Sequence, residues 1–141
     1  MLTIGDVIKD REPYFVRDSA TALEAAKFMT NLNIGAVCVL DEEGRLRGIF
    51  SERALLRRVV LPGLDAATTR VGDVMSAIKA VVECRRTPHE ALELMEKHGT
   101  RYLPVVRDDR WVGMLAMRDI MRVELSEQGD ELRLLHEYIQ H

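Results

Sequence analysis

No run of apolar residues in this chain of 141 residues approaches the roughly 20 that a membrane-spanning helix needs. The opening residues, Met1-Leu2-Thr3-Ile4-Gly5-Asp6, have neither the basic start nor the apolar centre of a secretory signal. Both absences point to the cytoplasm. Cysteine is scarce: there are two, Cys38 and Cys84, far apart and in different surroundings. Cys38 falls within Ala36-Val37-Cys38-Val39-Leu40 and reads as a small buried thiol, while Cys84 lies in a more polar stretch. Such a pair makes neither a disulfide framework nor a metal site. The four histidines show no ligand spacing either, since His136 and His141 miss the four-residue interval of a helical ligand pair. Positive charge is not in excess. The formal net charge is −3, which removes a general pull toward nucleic acid or an anionic membrane. No nucleophile beside a base, carboxylate pair or metal constellation stands out, so the sequence does not read as an enzyme.

What is present is a repeat. Hydrophobic residues make up 47% of the chain and charged residues 30%, enough for one ordinary domain or two small units sharing a core. Gly5-Asp6-Val7-Ile8 returns as Gly72-Asp73-Val74-Met75. Thr21-Ala22-Leu23-Glu24-Ala25 returns as Thr87-Pro88-His89-Glu90-Ala91. Gly48-Ile49-Phe50-Ser51-Glu52-Arg53 returns as Gly113-Met114-Leu115-Ala116-Met117-Arg118. Landmarks in the same order, with an interval that shortens slightly along the unit, indicate an internal duplication.

Each unit reads alike. A short helical turn (around 4–8 and 71–75) precedes a brief extended piece, Tyr14-Phe15-Val16 or Ala80-Val81-Val82. A helix follows, opened by Thr21 with Glu24 and by Thr87 with Glu90, both with capping-box spacing; Pro88 takes the first helical position, where its missing N–H costs little. Ala25, Met29 and Leu32, and likewise Ala91, Leu94, Met95 and His98, recur at helical spacing and read as a core stripe. Ala36 to Leu40 is apolar throughout, as a strand buried on both faces would be. Asp41-Glu42-Glu43-Gly44 turns it into a return strand, Leu46 to Phe50. The matching strands are Tyr102 to Val106 and Trp111 to Leu115, where Pro104 favours an edge or a strand end. Helices over 52–60 and 117–125 close the units.

The division expected is a first unit over 1–61, a Pro-Gly linker over 62–70, a second unit over 71–125 and a helical extension over 126–141. In that extension Leu132, Leu135 and Ile139 share a face, which either docks on a partner subunit or folds back. A unit of about 60 residues buries too little to stand alone. The expected fold is therefore α+β (α/β): two tandem units, each with a short sheet and two main helices, packed sheet to sheet about a pseudo-two-fold axis.

The ordered series of these motifs, occurring twice over residues 1 to about 125, resembles a tandem pair of cystathionine-beta-synthase (CBS) domains, a Bateman module. The residues carrying the resemblance are Gly5 to Ile8, Ile34 to Val39 and Gly48 to Arg53, then Val71 to Met75, Arg101 to Val106 and Val112 to Ile120. The resemblance implies a regulatory module rather than a catalyst. It also implies adenosine-containing ligands held in the clefts between the domains, and a homodimer.

Family members that bind adenine nucleotides carry a Thr or Ser and, three residues on, an Asp at the strand-to-helix junction. The Asp accepts from both ribose hydroxyls, and the hydroxyl and helix N–H groups meet a phosphate. Here each copy keeps half: Ser51 with Ala54, and Ala116 with Asp119. One lost hydrogen bond to a charged group is worth about 1.5–3 kcal/mol, about one to two powers of ten in affinity. The preferred cleft is the second. There Asp119 would take the ribose, Arg118, Arg101 and Lys79 would supply charge for a phosphate, and Val81, Val82, Tyr102, Leu103 and Pro104 would line the adenine. Ser51 and Arg53 are the candidates of the first cleft. Each also has a purely structural reading: Asp119 as an acidic residue in a first helical turn, Ser51 as a helix N-cap, Arg53 and Arg118 as a solvated helix face or a surface ion pair.

The expected function is thus a sensor of AMP, ADP or ATP, with NAD and S-adenosylmethionine ranked behind them. It would signal through dimer packing or a partner protein, with no obligatory cofactor, no membrane and no nucleic acid. The alternative is a ligand-free interaction module.

Overall fold

The computed structural model describes residues 1–126; the expected helix near the C-terminus lies outside the described residues. The elements are α1 (Ile4–Ile8), β1 (Phe15–Arg17), α2 (Ala22–Leu32), β2 (Ala36–Leu40), β3 (Leu46–Ser51), α3 (Glu52–Leu55, continuing as a π-helical turn over Leu56–Val60), α4 (Val71–Val74), β4 (Val82–Glu83), α5 (Pro88–His98), β5 (Tyr102–Arg107), β6 (Arg110–Ala116) and a helix α6 over 117–126. Two three-stranded sheets result, in the orders β1-β2-β3 and β4-β5-β6. In each, the first strand runs parallel and the third antiparallel to the central one.

Local chemistry explains the elements. Thr21 Oγ1 accepts from the Glu24 N–H at 3.1 Å, half of the expected capping box, whereas Thr87 and Glu90 form both halves. Asn33 and Gly99 end α2 and α5 in the left-handed conformation that Gly and Asn tolerate best. Asp108 and Asp109 both have positive φ, as a tight two-residue hairpin needs. Every residue of β2 is buried, as its unbroken apolar run requires.

Two expectations are corrected. Pro104 sits inside the central strand of its sheet, not on an edge. It occupies the position of Cys38, which pairs with Phe15; the counterpart of Phe15 is Val81, and β4 begins one residue later at Val82. Proline has no N–H for the ladder, so the neighbouring strand is shorter there. Leu32, expected in the core stripe of α2, is 37% exposed and borders a cavity.

The two hydrophobic cores do not follow the sequence units. Ile4 and Ile8 of α1 pack with Val82, Cys84, Met95, Leu103 and Leu115. Val71 and Val74 of α4 pack with Val16, Met29, Val37 and Phe50. Backbone hydrogen bonds repeat the exchange. The N–H groups of Ile4 and Gly5 donate to the carbonyls of Arg86 and Cys84 at 2.8 and 2.9 Å, and those of Val71 and Gly72 donate to Ala20 and Asp18 at 2.8 and 2.9 Å. Each opening turn thus completes the other unit, so neither unit closes its core alone. Between the sheets, β2 and β6 meet, and the rings of Phe15 and Trp111 stand edge to face at 5.7 Å. Burial pushes the Cys38 thiol up to about 12, against a smaller opposing effect of Trp111.

Candidate functional site

The strand-to-helix junctions are built alike. The Glu52 N–H donates to the Gly35 carbonyl at 3.0 Å, and the Met117 N–H donates to the Arg101 carbonyl at 2.9 Å. Each junction then spends its polar residue on its own helix. Ser51 is the N-cap of α3, its Oγ accepting from the Ala54 N–H at 3.1 Å. Asp119 reaches back so that its Oδ2 accepts from the Ala116 N–H at 2.7 Å. These are the two reciprocal bonds of a capping box, one in each copy. Asp119 is 7% exposed. Arg11, from the first repeat, completes its surroundings: Nη1 donates to Oδ1 at 3.2 Å, and Nη2 lies 3.2 Å from Oδ2.

Asp119 borders a cavity of about 800 Å³ between the two repeats. Its walls come from the segment 8–14, the turn from Leu32 to Ala36, Glu52, Arg101 and Tyr102, and the stretch of β6 and α6 from Val112 to Met121. Arg11, Arg101 and Arg118 stand there against Glu12, Glu52 and Asp119, so the wall offers charges of both signs. The tip of Tyr102 presses on Gly35: a Cβ there would lie 2.7 Å from the tyrosine hydroxyl.

Of the residues singled out in the sequence, Asp119, Arg118, Arg101 and Tyr102 meet in this cavity. The others lie outside its lining. Val82 and Leu103 are fully in the core and Pro104 is buried. Lys79 and Val81 are exposed elsewhere on the chain, Ser51 is occupied as a cap, and Arg53 is exposed on α3. The cause is the exchange of opening turns. Because α4 docks on the first unit, the chain that follows it runs along β3; the matching chain after α1 runs beside β6. Arg11 therefore stands where Lys79 was expected.

The two clefts differ for a related reason. Ile49 and Ser76 exchange backbone hydrogen bonds at 3.0 and 2.7 Å, closing the edge of β3. Gly48 permits this approach, since a Cβ there would lie 2.7 Å from the Ser76 carbonyl oxygen and from Met75 Sδ. Met114, the counterpart of Ile49, has no such bridge among the described residues and lines the cavity instead.

A family model described as the CBS domain matches residues 4–61 and 71–126. The CBS domain-containing protein CBSX3, mitochondrial, of Arabidopsis thaliana is 33% identical, over 98% of this chain and 72% of its own length. Among solved structures, a putative signal-transduction protein with CBS domains from Burkholderia ambifaria superposes with a TM-score of 0.82 at 28% identity, covering 90% of this chain and 96% of that one. A CBS domain protein from Pyrobaculum aerophilum complexed with AMP has a TM-score of 0.75 at 24% identity, covering 84% of this chain and 89% of its own; at that identity the likeness speaks to the fold.

Proposed function

The chain belongs to the CBS-domain family, and on that premise we propose that it is a regulatory module whose cavity binds an adenosine-containing ligand: AMP, ADP or ATP, ahead of NAD or S-adenosylmethionine. The observation that carries this reading is the buried carboxylate of Asp119 bordering a cavity of about 800 Å³ together with Arg101, Arg118 and Tyr102. Pockets of roughly 300–1,000 Å³ suit small molecules of this size class. A carboxylate is the acceptor that a ribose diol needs, and the arginines suit a phosphate. The AMP held by the Pyrobaculum protein, which shares the fold, supports adenine as the base. The module acts by binding one arrangement of its two halves, or of a homodimer, better than another. It is regulatory rather than enzymatic, and it works in the cytoplasm.

One observation favours the alternative, an interaction module that needs no ligand. The end of α3 and the turn after it expose Leu56, Val60, Leu61 and Leu64, a face suited to a second copy or another protein.

Thermal unfolding with AMP, ADP, ATP, NAD and S-adenosylmethionine at millimolar levels separates the two. Ligand at about 100 times its dissociation constant adds roughly 2.7 kcal/mol, a rise of several degrees. Asp119→Ala abolishes the rise. A midpoint unmoved by all five ligands leaves the interaction module as the reading.

A further inference from the structure

Asp119 already has partners that a ligand must displace. Two hydrogen bonds and one ion-pair contact reach its two oxygens: the Ala116 N–H donates to Oδ2 and Arg11 Nη1 to Oδ1, while Arg11 Nη2 lies 3.2 Å from Oδ2. An ionised carboxylate offers about four acceptor sites. A vicinal diol brings two donors, one for each oxygen, and the Arg11 guanidinium already stands 3.2 Å from both oxygens in their path. The Ala116 N–H is fixed by the start of α6, so the bond that can yield belongs to Arg11.

Arg11 is suited to yield. Its side chain is 35% exposed, its guanidinium and Asp119 line the same cavity, and it follows directly on α1, which is anchored in the second core. We infer that Arg11 is a transferable cation: it holds Asp119 until a sugar diol displaces it, and it then takes the phosphate of the same ligand. This rests on the cavity being a nucleotide site. A nucleoside breaks the Arg11–Asp119 bridge and returns nothing to the guanidinium. A nucleotide returns a phosphate, which an arginine grips with two parallel bonds. Arg11 therefore raises the preference for nucleotide over nucleoside. Arg118 faces the same cavity without contacting Asp119 among the described residues, so it adds to phosphate binding alone. The exchange also breaks a tie between the first and second repeats, which gives the ligand a differential contact with which to shift their arrangement.

The test is calorimetric titration of the full chain with AMP and with adenosine, for the wild type, Arg11→Gln and Arg118→Gln. Arg11→Gln is expected to bind adenosine at least threefold more tightly and AMP at least threefold more weakly, so that the AMP-to-adenosine preference falls about ninefold or more. Arg118→Gln is expected to weaken AMP and leave adenosine unchanged. If Arg11→Gln does not fold, Arg11→Lys, which keeps the charge but loses the two-pronged grip, must still strengthen adenosine. A preference that falls less than ninefold in Arg11→Gln, or adenosine unimproved by the variant that folds, overturns the role of Arg11 while leaving the nucleotide site standing. No AMP binding by the wild type overturns the role of Arg11, and it overturns the nucleotide site as well when ADP, ATP, NAD and S-adenosylmethionine also leave the thermal midpoint unmoved.

Discussion

Gly48 and Gly113 occupy the same place in the two repeats, yet replacing them by alanine should have very different consequences. At Gly48 an added Cβ meets the Ser76 carbonyl oxygen and Met75 Sδ at 2.7 Å. The sulfur can move, but the carbonyl is backbone and accepts from the Ile49 N–H at 3.0 Å. Relieving the clash means pushing the segment 75–76 off the edge of β3. Overpacking of this kind costs about 1–3 kcal/mol. Two bridging hydrogen bonds worth about 0.5–1.5 kcal/mol each weaken with it, partly made good by water at the edge. A total of about 2–4 kcal/mol is expected for Gly48→Ala. At about 3–4 °C per kcal/mol for a chain of this size, the thermal midpoint should drop by about 6–16 °C. At Gly113 the added Cβ meets one atom, Ile8 Cδ1, at 3.2 Å, the free end of a side chain that can turn away. Alanine there also narrows the unfolded ensemble, a gain of about 0.4–1 kcal/mol, so Gly113→Ala should stay within about 1 kcal/mol of the wild type. Differential scanning calorimetry of both variants decides. Equal losses would refute the account of why one cleft is closed along its strand edge and the other is open.

Two further outcomes follow from the same geometry. Ser51→Ala removes an N-cap worth about 1 kcal/mol and should lower the midpoint by a few degrees without changing the shift that AMP produces; a lost AMP shift would give Ser51 a ligand. The Cys38 thiol, raised by burial from an ordinary 9.0 to about 12, stays neutral in the folded chain while the unfolded chain ionises. Stability should therefore be fully present below about pH 9 and decline as pH rises toward 12, and Cys38→Ala should flatten that decline in denaturant titrations between pH 8 and 11.

Much of the architecture was legible because it is written in local patterns. The capping residues Thr21 and Thr87, the apolar run of β2, the turn residues at 41–44 and the duplication itself each follow from neighbouring side chains. The polar halves at Ser51 and Asp119 were legible as well, including their structural reading as helix-start residues. What could not be read was the segment that faces each half. The repeat alignment matches 8–14 with 75–80, one residue shorter, so the residue types were in view. Nothing local says that the segment after α1 crosses to the second sheet and the segment after α4 to the first. The local pattern accordingly puts Lys79 among the cations of the cleft where Arg11 stands, and Pro104 at an edge or a strand end, whereas Pro104 lies within a central strand.

By itself, then, the order of residues determined two copies of one small α+β unit, each too small to close a core, and one carboxylate, Asp119, at the start of the last described helix. Those features depend on periodicity, caps and turns, which act over a few residues. Only the tertiary structure decided that the opening turns exchange partners, that Ser76 closes the edge of β3 while Met114 borders a cavity, and that Arg11 sits on Asp119. These are contacts between segments distant along the chain. They are selected by which arrangement buries Ile4, Ile8, Val71 and Val74, and no pattern within either repeat encodes that choice.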